Sequence, residues 1–346
     1  MFVLGIESTC DETACAVVRD GKEILSNVIY SQSEIHRPFG GVFPELACRR
    51  HVDALVPVIR QALDKAQVSR EALGLIAVAS GPGLIGSLLI GLNAAKSLSL
   101  AWKIPFVGVN HVEAHLYAAL MSLESPPLPA LGVVISGGHT FMVKINGIGS
   151  YEILGTTQDD AIGEAFDKVA SMLHLPYPGG PVIERLAKQG DPHRFSFRAG
   201  QVKGRPWDFS FSGLKTSVLY AIKGANASKD FPLLISEKEK ADVAAAFQET
   251  ALGDIVAKAL SVAKSLQLRA IFCGGGVSNN RRLQELFKTQ ACIPVFFPPA
   301  ELTLDNAAMI AGLGYPIFQE KKIGDPYDLE PHCSRKRLFK FATIPR

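Results

Sequence analysis

The chain states one folding plan twice. Residues 2–31, FVLGIESTCDETACAVVRDGKEILSNVIYS, and residues 130–157, ALGVVISGGHTFMVKINGIGSYEILGTT, follow the same order. In each, an apolar strand ends in small polar residues, a second strand follows, and a two-residue turn leads into a third. Asp20-Gly21 and Asn146-Gly147 are the turn signals, since both pairs adopt the backbone that closes a tight hairpin. The following segments also correspond. Residues 73–101, LGLIAVASGPGLIGSLLIGLNAAKSLSLA, and residues 268–287, LRAIFCGGGVSNNRRLQELF, each read as strand, glycine-rich turn and helix. A meander followed by alternating helix and strand gives a mixed sheet covered by helices. The expectation is therefore an α/β chain of two duplicated lobes with a cleft between them. Residues 1–130 form the first lobe and 131–325 the second, with a polar insert at about 191–240. Residues 326–346 form a tail expected to pack back on the first lobe.

Totals narrow the function class. Of 346 residues, 47% are hydrophobic and 20% charged, enough for about two domains. With 36 basic and 33 acidic side chains the net charge is +3, which neither demands nor forbids a nucleic acid. The six cysteines form no CxxC pair, so neither a zinc ribbon nor a redox pair is signalled, and free thiols in a cytoplasmic protein are expected. The opening MFVLGIEST reaches Glu7 too early for a secretory signal. Ala72 to Ala95 carries no charge, but its glycines and Pro82 divide it into a buried strand, a turn and a buried helix; no membrane role is expected.

Three turns can offer backbone N–H groups to phosphate: Ser8–Thr13, Ser136–Thr140 and Gly274–Ser278. Gly81-Pro-Gly83-Leu-Ile-Gly86 matches GxGxxG, yet no acidic residue stands about 20 residues on to take a ribose. A GxxxxGK[ST] loop is absent, so the chain is not a P-loop enzyme.

VGVNHVEAHLYAAL sets His111 and His115 four residues apart, hence about 40° apart on one face of a helix. Two imidazoles so placed can chelate one metal ion. The zinc-peptidase pattern HExxH is not met, because Glu113 lies about 200° around from His111 and cannot serve a water on the same ion. Asp305, just before the apolar run NAAMIAGLGY, either caps that helix or completes a two-histidine, one-carboxylate set with open positions, suited to Fe(II) or Zn(II).

GIESTCDETACAVV, SGPGLIGSLLIG, NHVEAHL, VISGGHT, FDKVASMLHLPYPGGPVIERLA, DFSFSGLKT, GGGVSNN and DNAAMIA resemble, in order and over nearly the whole chain, the bacterial and organellar tRNA N6-adenosine threonylcarbamoyltransferase family, once described as O-sialoglycoprotein endopeptidases. The resemblance implies a duplicated actin/sugar-kinase/Hsp70-like (ASKHA) fold. It implies transfer of the threonylcarbamoyl group of threonylcarbamoyl-AMP to N6 of adenosine 37 in tRNAs that read codons starting with A. It further implies one divalent metal ion, usually treated as iron, on His111, His115 and Asp305. Adenylate contacts fall on Val134, Ile135, Ser136, Gly137, Gly138, Asp167, Gly180 and Asn280, with Glu184 where aspartate often stands. Leu304 and Ala114 replace the family's commoner threonine and glycine. The partners implied are an inactive paralogue subunit and a P-loop ATPase. On this reading the N–H groups of Ser136–Gly138 hold the α-phosphate or carbonyl oxygen, and Asp167 and Glu184 grip ribose hydroxyls. Asp11 is the candidate to orient or deprotonate the attacking amine. Lys203, Arg205, Lys215, Arg49, Arg50 and Arg335–Arg337 are candidate tRNA contacts. Rival readings are a small-molecule kinase of the same fold, which leaves the histidine pair unexplained, a metallopeptidase, which lacks its base, and a non-catalytic scaffold, which needs no metal ligands.

Overall fold

Asp20 and Gly21 both adopt left-handed backbone, with φ of 52° and 74°, which is what a two-residue hairpin turn requires. They join strand β2 (Glu12–Arg19) to β3 (Glu23–Ser31), and β1 (Phe2–Glu7) lies antiparallel to β2. In this computed structural model, residues 1–39, 41–224 and 231–333 are described. Strands β4 (Leu73–Gly81) and β5 (Phe106–Asn110) run parallel to β1 and complete a sheet of order β3-β2-β1-β4-β5. The second half repeats this. Strands β6 (Ala130–Ile135), β7 (Thr140–Gly147), β8 (Ser150–Thr156), β9 (Ile271–Gly274) and β10 (Val295–Phe296) stand in the order β10-β9-β6-β7-β8. Again the first strand has an antiparallel neighbour on one side and a parallel one on the other. One turn differs from expectation: β7 runs through Gly147, and the reversal falls at Ile148-Gly149, where Gly149 supplies a φ of 76°.

Helices make the parallel crossovers. Between β3 and β4 lie α1 (Ser33–His36) and α2 (Pro44–Ala66); α3 (Ile85–Trp102) precedes β5 and α4 (His111–Leu120) follows it. Helix α2 starts with proline, whose missing N–H has no intrahelical partner at that position. It buries Ala47, His51, Ala54, Leu55, Val58, Ile59 and Ala62, a stripe at helical spacing. Helix α3 is long and apolar enough to cross a membrane by length and composition alone. However, it packs on the first sheet so closely that a Cβ on Gly91 would strike the Ser8 hydroxyl. The second half carries α5 (Ile162–Met172), α6 (Gly179–Ala187), α7 (Ser212–Lys223), α8 (Glu237–Ser265) and α9 (Arg281–Gln290). A reciprocal Ser236/Glu239 capping box starts α8.

The chain divides into two compact units. The first comprises Met1–Pro126, Ile148–Ser150 and the described residues from Pro298 on; the second comprises Pro127–Gly147 and Tyr151–Phe297. Each has its own core. Leu4, Ile6, Val17, Ile76, Val78, Leu92 and Phe106 centre the first, and Phe166, Phe209, Phe211, Phe247, Ile255 and Phe287 the second. Each such side chain contributes about 1.5–3 kcal/mol over an exposed one.

Two assignments from sequence order change. The stretch expected as a polar insert supplies Phe209, Phe211, Leu214, Val218 and Ile222 to the second core; the last three recur at helical spacing along α7, and the two phenylalanines precede it. The last helix, α10 (Ala307–Lys321), placed by sequence order in the second lobe, packs in the first unit. Small residues permit this: Gly5 leaves room for the Ala307 carbonyl, and Gly314 for the Ala77 side chain. Residues 326–333 lie on the same unit. Tyr327 packs 5.6 Å from the Phe106 ring, Lys96 Nζ donates to Leu329 O at 2.7 Å and His332 N to Ser80 O at 3.0 Å. Residues 334–346 of the expected tail are outside the described residues.

Candidate functional site

Asn110 ends β5 and caps α4, its side-chain oxygen accepting from Val112 N and Glu113 N at 2.9 and 3.2 Å. That cap fixes where the helix starts, so His111 is its first residue and His115 stands one turn on. Both are buried, with ring centroids 4.7 Å apart and the planes at 81°. Asp305 approaches from the loop before α10. Its Oδ1 lies 3.0 Å from His115 Nε2 and 3.6 Å from His111 Nε2. Asp305 is not the cap of α10. Asn306 fills that place, accepting from Met309 N at 3.0 Å, so the choice left open by the sequence resolves away from capping.

Sequence reasoning missed Glu7. It ends β1 with a fully buried carboxylate; Oε2 lies 3.0 Å from His111 Nδ1 and Oε1 accepts from Thr9 N at 2.6 Å. Thr9 Oγ1 stands 3.4 Å from the same ring nitrogen. The only available signal was one charged residue closing the apolar run FVLGIE. A carboxylate on Nδ1 fixes the tautomer: Nδ1 keeps the hydrogen and Nε2 presents its lone pair. Burial alone would lower the His111 pKa, but the charges of Glu7 and Asp305 prevail and raise it to about 9, so without an ion Nε2 also carries a proton, which a bound metal ion displaces to leave the neutral ligand.

These features fit a metal ion. The ligand atoms of His111, His115 and Asp305 all lie within 4.8 Å of one another, and both Nε2 atoms converge on one carboxylate oxygen. The donor set of two neutral imidazoles and one carboxylate suits Fe(II) or Zn(II). Glu113 lies in the first turn of α4 and is not one of the three clustered residues that could hold the ion.

Cys10, Asp11 and Glu12 form the turn after β1. Burial, then the charges of Asp305 and Asp11, push the Glu12 carboxyl up into the neutral form. The Cys10 thiol rises far above its ordinary value through burial and the same two carboxylates. Asp11 is thus a close neighbour of both side chains, and Asp305 is felt at this turn.

The remaining expected residues gather in the second unit. Val134 and Ile135 end β6. Ser136 N donates to His139 O at 2.8 Å within its own turn, so that N–H is not available to phosphate as the sequence suggested. Ser136 O accepts from Gly163 N at 3.2 Å, which ties the turn to the start of α5. From α5, Asp167 Oδ1 accepts from Gly179 N at 2.7 Å at the start of α6; burial raises its pKa in spite of that bond. From α6, Glu184 Oε1 accepts from Arg281 N at 3.1 Å. Asn280 caps α9 through Arg282 N and Leu283 N and donates to Gln248 Oε1 at 2.9 Å. Gly275, with a φ of 90°, leaves room for the Ile135 carbonyl. The turn after β6 and the starts of α5, α6 and α9 therefore form one linked set. Side chains added at Gly137, Gly138 or Gly180 would meet nothing within 4 Å, so there is space beside these three residues.

The candidate tRNA contacts divide. Lys215 Nζ is held by Asp160 at 2.6 Å, Arg49 by Glu45 at 2.7 Å, and Arg50 lies 3.9 Å from Asp53. Arg205 reaches Asp208 at 3.4 Å, and Lys203 is exposed. Arg335–Arg337 lie outside the described residues.

Comparison with known proteins gives a consistent picture. Residues 23–312 match the family model described as tRNA N6-adenosine threonylcarbamoyltransferase. A protein of that name from Protochlamydia amoebophila (strain UWE25) is 61% identical over 333 residues, spanning 96% of this chain and 97% of its own length. Another from Chlamydia felis (strain Fe/C-56) is 50% identical over 323 residues, 93% of each chain. Among solved structures, T. kodakarensis HypF superposes with a TM-score of 0.62 at 15% identity, over 92% of this chain and 48% of that one. The duplicated sheets are thus those of the actin/sugar-kinase/Hsp70-like fold.

Proposed function

Because the chain belongs to the tRNA N6-adenosine threonylcarbamoyltransferase family, we propose that it carries the threonylcarbamoyl group from threonylcarbamoyl-AMP to N6 of adenosine 37 in tRNAs reading codons that start with A. The N6 lone pair attacks the carbamoyl carbon. A C–N bond forms, the bond from that carbon to the phosphate oxygen breaks, AMP leaves with the electron pair, and N6 loses one proton. A divalent ion on His111, His115 and Asp305, Fe(II) or Zn(II), would supply Lewis-acid stabilisation of the negative charge that develops. Glu7 holds His111 in the tautomer this needs. Asp11 orients the attacking amine and takes its proton.

The adenylate is assigned to the second unit's linked set. Val134 to Gly138, Gly180 and Asn280 border it, and Asp167 and Glu184 accept from ribose hydroxyls. The space beside Gly137, Gly138 and Gly180, where an added side chain would meet nothing within 4 Å, supports this assignment. The partners that go with the reading are tRNA, the inactive paralogue and a P-loop ATPase, in the cytoplasm. The observation that carries the chemistry is the convergence of two imidazole Nε2 atoms on Asp305, with Glu7 behind one of them.

The test supplies preformed threonylcarbamoyl-AMP, tRNA and the partner proteins, and measures modified adenosine by mass spectrometry. His111→Ala and His115→Ala are each expected to lower product formation by at least about 100-fold. Product at the unaltered rate would remove the metal role. ATP-dependent phosphorylation of a small molecule in place of modified tRNA would favour the kinase reading.

A further inference from the structure

The turn after β1 is clamped carbonyl by carbonyl. Thr9 O accepts from Leu84 N at 2.8 Å and Asp11 O from Gln32 N at 3.1 Å. Cys10 O accepts from His51 Nε2 at 3.0 Å and from Ser87 Oγ at 3.4 Å. His51, from the buried face of α2, does more than the others. Its Nδ1 lies 2.8 Å from the Thr13 hydroxyl, so one imidazole spans both ends of the turn that contains Asp11 and Glu12. The ring is fully buried.

The chemistry of these partners fixes a hydrogen on Nε2, and burial favours the neutral ring. A carbonyl can only accept, so Nε2 bears the hydrogen, and Nδ1 then accepts from the Thr13 hydroxyl. The neutral form satisfies both ring nitrogens in this way. Burial holds the pKa of His51 below its ordinary value, in agreement. A histidine serving only to fill the core would need no such pair of ties three residues apart on one functional turn.

We propose that His51 is the positioning residue of the acceptor side of the reaction: by pinning Cys10 and Thr13 it fixes where Asp11 and Glu12 stand relative to Asp305. The proposal rests on the threonylcarbamoyl-transfer reading. His51 touches neither substrate nor metal ligand, so its loss acts on geometry. Misplacing a reacting group by about 1 Å costs on the order of 100-fold in rate, whereas donor binding, assigned to the other unit, is unaffected.

The test uses the full chain with its partner proteins, tRNA and preformed threonylcarbamoyl-AMP. His51→Ala is expected to lower kcat by about 30–100-fold, with the KM for the donor within about threefold. Bound metal should match the unaltered protein. His51→Gln, whose amide can still donate to Cys10 O, should recover about a tenth or more of the kcat, and Thr13→Val, similar in size but without the hydroxyl, should fall between the two. If His51→Ala does not fold, as judged by its thermal midpoint, His51→Gln and Thr13→Val carry the test. A kcat within threefold for His51→Ala overturns the proposal. So does a loss of rate that tracks loss of metal, or a glutamine variant no faster than alanine. Asp11→Asn separates this from the role given to Asp11. A slow His51→Ala beside a normal Asp11→Asn keeps His51 and moves the chemistry to another group of the turn; the reverse pattern rejects His51 and keeps Asp11.

Discussion

Glu7 and His111 are joined across 104 residues of chain, and their contact sets the ring nitrogen that faces Asp305. Carboxylate partners of metal-bound histidines typically contribute 10–100-fold in metal affinity. Glu7→Gln keeps the shape but loses the charge, and is expected to weaken Fe(II) or Zn(II) binding by about that factor in a chelator competition. Undiminished affinity would mean that Thr9 alone orients the ring. The sequence made the histidine pair legible because i and i+4 share a helix face whatever the rest of the fold does. It made Asp305 legible only as a choice between two roles, and the structure removes the capping role by giving the cap to Asn306. Glu7 was illegible because no local pattern pairs a strand end with a helix 104 positions later. The Ser136 N–H was misjudged for a related reason. A glycine-rich turn advertises free donors, but whether it spends them internally depends on its own closure, here onto His139.

Among the elements, α7 depends on a residue far from it in sequence. Asp159 accepts from Ser210 Oγ and Ser212 Oγ at 2.6 and 2.7 Å, and from Phe211 N and Ser212 N at 2.8 and 3.2 Å. It places a carboxylate at the helix start, where the macrodipole favours one. Burial opposes ionisation, but these bonds prevail and hold its pKa below the ordinary 3.8. A depressed folded pKa means the stabilisation is complete above the unfolded value and disappears as pH falls through the folded one. Asp159→Asn is therefore expected to lower unfolding free energy by about 1–2 kcal/mol at pH 7. The difference should shrink as the pH is taken below 3.8. Denaturant titrations at both pH values check this, and a pH-independent difference would contradict it. A second dependence concerns α10. A Cβ at Gly5 would collide with the Ala307 carbonyl, pushing back the helix that Asp305 precedes. Gly5→Ala should cost about 1–3 kcal/mol as an overpacked contact and also reduce metal binding, read by thermal unfolding and metal content. The strands of both meanders and helices α3, α4, α9 and α10 were legible from periodicity and turn chemistry, whereas α2 and α5–α8 were not. The home of α10 was not, since a run rich in alanine and glycine suits close packing on any flat surface and names no particular one.

For the whole molecule, the two sets of residues separate cleanly. Every proposed metal ligand and Glu7 belong to the first unit, whereas every residue proposed for adenylate belongs to the second. Hydrogen exchange on the full chain should show this division. Zn(II) is expected to slow exchange in β1, α4 and the start of α10, and AMP to slow it in residues 134–138 and at the starts of α5, α6 and α9. At 100 times the dissociation constant each ligand adds up to about 2.7 kcal/mol of protection. AMP protecting only the first unit would overturn the adenylate assignment. The duplication was legible because it is written in order and spacing, which survive even where the residues differ.

His115 and Asp305 are separated by 190 positions, and that interval is also a stretch of time. At about 5–20 residues per second of synthesis, on the order of 10–40 s pass between the making of the second histidine and the making of the carboxylate it meets. All described residues of the second unit are translated in between. A ribosome-bound chain that has completed α4 can offer its imidazoles to whatever ion is at hand, but it cannot yet offer the third ligand that gives the site its charge. On the proposed metal reading, loading with the right ion is therefore among the last events in the making of this protein, and a chain cut short before Asp305 would have a metal site that never closes.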